Sequence, residues 1–210
     1  MPRLPSFAIA ALVAIVAVAA GMLSARSLLG GGGATQLGLA QATLLTPPRP
    51  LPQFELVDQA GAAFTPERLK HRWSLLFFGF TRCPDVCPLT LGVLAQAEKA
   101  LKDLPPEKQP QILLVSVDPQ RDNPAQLASY VKFFSPAFGG VTGTQKGIEE
   151  LTSALGVPVA INKLPNGDYT VDHSAAIFLV DPNGALHALF SSPHVPAVIA
   201  ADYRRIVTAG

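Results

Sequence analysis

Trp73-Ser74-Leu75-Leu76-Phe77-Phe78-Gly79-Phe80-Thr81-Arg82-Cys83-Pro84-Asp85-Val86-Cys87-Pro88 is the stretch on which the architecture turns. Its first half is an apolar run of strand length and reads as a buried strand. Its second half carries the only two cysteines in 210 residues, four positions apart, with Pro88 placed to open the next helix. Two thiols at a strand-to-helix junction point to redox chemistry or to a soft metal. A disulfide closing so short a loop would constrain little of the unfolded chain, so a purely structural role fits poorly. A helix N-terminus favours negative charge, and a thiolate beside Pro88 is therefore expected to have a lowered pKa.

Outward from this junction the chain alternates strands and helices. Phe54 to Phe64 reads as a short hairpin turning at Gly61. Pro88 to Leu104 has apolar residues at helical spacing and ends at Pro105-Pro106. Ile112 to Val117 has the continuous β-branched and leucine character of a covered parallel strand. Asn123-Pro124 caps and opens a helix to Phe134, where Phe133-Phe134 is expected in the core. Gly140 to Gly143 suggests a short strand, and Thr144 to Leu155 a helix ended by Gly156. Val157 to Ile161 and Tyr169 to Val171 flank a turn at Pro165-Asn166-Gly167. Ala175 to Val180 and Ala185 to Phe190 form a hairpin before a last helix from Pro196 to Val207. The order implies an α/β three-layer sandwich with a parallel first half. It resembles a thioredoxin-like fold with an added N-terminal β-hairpin and an insertion between residues 136 and 172. In such sheets the loops leaving the carboxyl ends of parallel strands gather the chemistry.

The N-terminus differs in kind. Between Arg3 and Arg26 the chain is uncharged and apolar from Phe7 to Ala25, long enough at helical rise to match a hydrocarbon core of roughly 30 Å. Residues 1–26 are read as a membrane anchor, with a signal segment cleaved near Ala17-Val18-Ala19 as the alternative. Either reading sends the rest of the chain across a membrane. The absence of a cysteine near the end of the run excludes a lipid-modified N-terminus. No long Arg- and Ser-rich presequence precedes the run, so the expected location is a bacterial inner membrane, single-pass, with the soluble part facing the periplasm. Residues 27–50, rich in Gly, Ala, Gln, Thr and Pro, read as a flexible linker, and 51–210 as one domain. A net charge of +1 argues against electrostatic nucleic-acid binding.

The spacing of the thiols bears on their role. Redox catalysts of the thioredoxin type carry two residues between their cysteines, whereas three stand here. That fold also places a proline opposite the thiols, but Asp168 to Ala176 has none and offers His173 instead. On the proposed topology His173 lies in the loop entering the strand from Ala175, beside the thiol loop. Two thiolates and an imidazole form a soft three-ligand set suited to copper, especially Cu(I), and able to hold zinc. His71 and His187 are expected to be exposed and His194 to sit in a loop. No Gly-x-Ser-x-Gly elbow accompanies Ser174, which removes a hydrolase reading.

Three motifs resemble one family in register: Gly79 to Pro88; Ser116-Val117-Asp118-Pro119-Gln120-Arg121-Asp122-Asn123-Pro124 with Leu127 and Tyr130; and Val171-Asp172-His173-Ser174. Together they resemble the Sco/SenC copper chaperones over about residues 51–190. The resemblance implies that Cys83, Cys87 and His173 bind one copper ion, Cu(I) or Cu(II). It also implies delivery to the binuclear copper centre of cytochrome c oxidase subunit II or another copper-accepting protein, with other copper chaperones as further partners. The alternative is an enzyme, a thiol-disulfide reductase acting through Cys83 and Cys87 to keep that target's cysteines reduced. Thr81 and Arg82 adjoin Cys83 without the spacing of a thiol peroxidase. Asp85 and Asp172 are candidate supporting or docking groups, and Asp118 is read as an ordinary turn acid before Pro119.

Overall fold

The computed structural model describes residues 37–209; the anchor read over 1–26 lies outside them. Among the described residues no helix is long and apolar enough to cross a membrane. The described residues form ten strands: β1 (Ala42–Pro50), β2 (Leu56–Asp58), β3 (Ala63–Phe64), β4 (Ser74–Gly79), β5 (Gln111–Ser116), β6 (Gly139–Thr142), β7 (Val159–Lys163), β8 (Tyr169–His173), β9 (Ile177–Val180) and β10 (Ala185–Phe190). They also form the α-helices α1 (Val86–Ala100), α2 (Pro124–Phe134), α3 (Gln145–Leu155) and α4 (Pro196–Ala209).

Eight strands form one sheet in the order β1-β10-β9-β4-β5-β6-β2-β3, while β7 and β8 pair separately as a two-stranded hairpin. β4 pairs in parallel with β5, and β5 with β6; β9 runs antiparallel to β4. All six residues of β4 are buried, as a strand covered on both faces requires. β10, one strand from the edge, alternates buried and half-buried positions instead. The arrangement is the mixed α/β, thioredoxin-like one expected.

Local capping explains the helix boundaries. Asn123 accepts from the Gln126 backbone N–H at 2.9 Å while the Gln126 side chain returns to the Asn123 N–H, and Pro124 opens α2. Thr144 accepts from the Gly147 N–H at 3.1 Å, and Gly156 closes α3 at φ +69°, a conformation that suits a residue without Cβ.

Four expectations change. Helix α1 begins at Val86, not Pro88, so Cys87 lies inside its first turn; it also ends earlier, at Ala100. Residues 42–50, read as linker, form edge strand β1, pairing antiparallel with β10 from Ala42↔Phe190 to Pro50↔Ala185. Its prolines are tolerated at a sheet edge. The fully buried carboxylate of Asp202 on α4 fixes its start, accepting from the backbone N–H groups of Ala40, Gln41 and Ala42, the shortest at 2.7 Å. Phe133, expected in the core, is 84% exposed, because α2 buries only its Leu127 and Val131 face fully. Asp118, read as a turn acid, is buried, with consequences described below.

Candidate metal centre

The site begins where β4 ends. A Cβ on Gly79 would lie 2.8 Å from the Cys87 sulfur, so only glycine lets the thiol rest against the strand terminus. The following loop is held from beneath by Asp122. Its buried carboxylate accepts from the Thr81 N–H at 3.0 Å, the Thr81 hydroxyl at 2.6 Å and the Ser116 hydroxyl at 2.7 Å. The parallel strands β4 and β5 are thereby joined through side chains just beyond their carboxyl ends. Cys83 is half-buried, Cys87 is fully buried, and both thiols are free.

His173 is the last residue of β8, not a loop residue as expected. Its Nε2 lies 3.3 Å from the Cys87 sulfur, and its Nδ1 lies 3.0 Å from the Ser174 carbonyl oxygen. A carbonyl only accepts, so Nδ1 carries the proton and the Nε2 lone pair faces the thiol. The rings of Phe77 and Phe80 stand edge-on to the imidazole, each with centroids 5.9 Å away. The ligand atoms of Cys83, Cys87 and His173 all lie within 4.8 Å of one another.

Burial dominates the electrostatics. It pushes the Cys87 thiol far up, opposed by the Phe80 backbone N–H and reinforced by the Cys83 sulfur and the Asp122 charge. The lowered pKa expected from the helix terminus is therefore overturned for Cys87, whose sulfur points into the core instead of water. Burial also lowers the His173 pKa, against the Ser174 carbonyl, which favours the protonated ring. A neutral imidazole and a protonated buried thiol face each other, and the S–H donates to Nε2. A soft cation can replace that proton, because two sulfurs and one neutral imidazole nitrogen suit such an ion.

The other candidates lie apart from this triad. Asp85 and Asp172 are exposed and line an open hollow of about 310 Å³ shared with Cys83 and His173. Asp172 accepts from the Asn162 side chain at 2.6 Å. A larger cleft, about 740 Å³, lies between the β2–β3 hairpin and the N-termini of α2 and α3, and contains none of the three ligand-type side chains. His71 is exposed with φ +64°. His187, expected to be exposed, is half-buried edge-on to Trp73 at 5.3 Å. His194 donates from Nε2 to the Ala175 carbonyl at 2.6 Å.

Two groups that stood in the second motif without an assigned part at the site support it. Asp122 is one. The other is Tyr130 on α2, whose hydroxyl is buried with no hydrogen-bond partner among the described residues; burial raises its pKa, and ionisation of the neighbouring thiols would raise it further. The motif marks both positions, but nothing local in the sequence says what either side chain touches.

Residues 44–208 match the SCO1/SenC family. A Stutzerimonas stutzeri protein described as a candidate copper-binding protein is 42% identical over 159 residues, covering 75% of this chain and 76% of the relative. The structure of Bradyrhizobium japonicum ScoI with copper bound is 35% identical with a TM-score of 0.67, covering 74% of this chain and 98% of that one. BsSco, described as a Sco-family cytochrome c oxidase assembly protein with a disulfide switch, is 27% identical with a TM-score of 0.60, covering 78% and 96%. The chain belongs to the SCO1/SenC family.

Proposed function

We propose that this protein binds one copper ion through Cys83, Cys87 and His173 and passes it to a copper-accepting protein in cytochrome c oxidase assembly, with the binuclear centre of subunit II as the target. The observation that carries the reading is the convergence of three soft donors from segments 86 residues apart, with the imidazole lone pair 3.3 Å from the buried thiol. Copper-bound relatives of the same fold support the choice of metal. Uptake displaces thiol protons, so binding and proton release are coupled. Cys83 and His173 are half-buried and line the open hollow, which gives an incoming ligand access, while Cys87 is fully buried behind them. In this reading residues 1–26 tether the protein to a bacterial inner membrane, with the copper site on the periplasmic side.

A second reading is favoured by the proximity of two free thiols and by the disulfide switch described for BsSco. As a reductase, Cys83 as thiolate attacks a disulfide of the target, one target thiolate leaves, and Cys87 displaces the second. The products are a reduced target and a Cys83–Cys87 disulfide, two electrons having passed to the target. Loss of both free thiols also ends copper binding.

Competition of the reduced full chain with a Cu(I) chelator separates the two. His173→Ala is expected to weaken Cu(I) retention by about 100-fold or more. Unchanged retention transfers the assignment to the reductase.

A further inference from the structure

Resting on the copper-site reading above, we infer that Arg121, Tyr169 and Asp118 form a latch that positions His173 for the metal. His173 belongs to the β7–β8 hairpin, which makes no backbone ladder with the eight-stranded sheet that carries the thiols. Its one direct covalent tie to that sheet is the short link of residues 174–176 to β9, which pairs with β4; this holds the far end of β8 and leaves the lie of the strand to contacts at its start.

The contacts at the start of β8 set that lie. The Tyr169 hydroxyl donates to the buried Asp118 carboxylate at 2.7 Å. Arg121 donates from Nε to the other oxygen of that carboxylate. From Nη1 it also donates to the Tyr169 carbonyl at 2.9 Å and to the Asp168 carboxylate at 3.0 Å. Its guanidinium lies over the Tyr169 ring, 3.6 Å from the centroid. It also stands 5.8 Å from the centroid of Phe80, the ring that walls His173. Arg121 and Asp118 belong to the loop leaving β5, and Asp122 of the same loop holds the thiol segment. One short loop thus grips both partners of the site: the thiol loop through Asp122 and the histidine arm through Arg121 and Asp118.

A cation over the Tyr169 ring that also donates to three separate acceptors is a directional contact, unlike apolar packing, and it orients the strand as well as setting its distance. Position along β8 matters because Tyr169 and His173 are four residues apart on one strand, so they project to the same face. Tyr169 and Arg121 touch neither sulfur nor Nε2 in any contact of the structure. They are positioning residues, and their effect reaches copper only through His173.

Tyr169→Leu tests the latch, because it removes the hairpin half while leaving the buried Asp118–Arg121 pair intact. In the full chain it is expected to weaken Cu(I) retention about tenfold and to raise amide exchange across β7–β8 but not across β4 and β5. The reduction potential of the Cys83–Cys87 pair is expected to stay at the wild-type value. Combining it with His173→Ala should weaken binding no further than His173→Ala alone, since the latch has no other route to the ion. Tyr169→Phe, which keeps the ring over Arg121, should fall between wild type and Tyr169→Leu. The inference is overturned if Tyr169→Leu retains Cu(I) like wild type, or if its loss adds in full to that of His173→Ala. If His173→Ala itself has no effect, the copper-site reading fails first, a separate and recognisable result.

Discussion

The two halves of the candidate centre are built differently. The thiols stand at the end of β4, a fully buried central strand, with Cys87 inside the first turn of α1 and the intervening loop bound to a buried carboxylate. The histidine stands at the end of a two-stranded hairpin outside the main sheet, with exposed apolar residues such as Ile161 on it. Strand burial and sheet hydrogen bonds fix the first half; a few side-chain contacts fix the second. A rigid dithiol platform and a separately anchored imidazole allow the same thiols to work with the histidine, as a metal site, or without it, in disulfide exchange. Local opening is cheapest where buried contacts are fewest, which places it on the histidine arm.

The comparison is challenged most severely at Asp122. Asp122→Ala removes the acceptor of three hydrogen bonds and leaves the Thr81 and Ser116 donors in a buried region. We expect a loss of about 3 kcal/mol in urea unfolding, and a changed Cys83–Cys87 reduction potential together with weaker copper retention. The hairpin-side variant Tyr169→Leu changes retention and exchange across β7–β8 but leaves the reduction potential at the wild-type value. Unchanged stability in Asp122→Ala would remove the distinction between a bound platform and a loose arm.

A smaller effect is expected from pH in the metal-free protein. Burial lowers the His173 pKa, so below the ordinary value of 6.5 the unfolded chain binds more protons than the folded one, and stability falls as pH drops through that range. Burial raises the Cys87 pKa, so above the ordinary value of 9.0 the folded state holds a proton that the unfolded state has released, and stability falls as pH rises. Unfolding midpoints measured across pH should show an acid limb reduced in His173→Ala and an alkaline limb reduced in Cys87→Ser. An unaltered acid limb in His173→Ala would mean that the imidazole is not buried against the thiol.

What the sequence made legible was local. The strand from Ser74, the strand from Gln111, and helices α2 and α3 follow from apolar runs and from caps that lie within a few residues of the ends they fix, at Asn123, Thr144 and Gly156. Strand β1 was hidden because its anchor, Asp202, lies some 160 residues further along the chain. Asp118 looks like a turn acid before Pro119, and Asp122 is a motif residue with no legible contact; only the fold buries them and turns them into acceptors for Tyr169, Arg121, Thr81 and Ser116. The pairing of His173 with the thiols was accessible through the missing proline and the family motifs. The ionisation of Cys87 was not, because a helix terminus and a desolvated pocket act in opposite directions, and only coordinates show that the sulfur points inward. Phe133 shows the converse: an aromatic pair suggests core until the helix face is known.

The most direct measurement is X-ray absorption at the copper edge on the reduced, Cu(I)-loaded full chain and on its His173→Ala variant. The account predicts two sulfur scatterers and one imidazole nitrogen in the first and loss of the imidazole contribution in the second. Identical spectra from the two proteins, with sulfur as the sole scatterer, would contradict it.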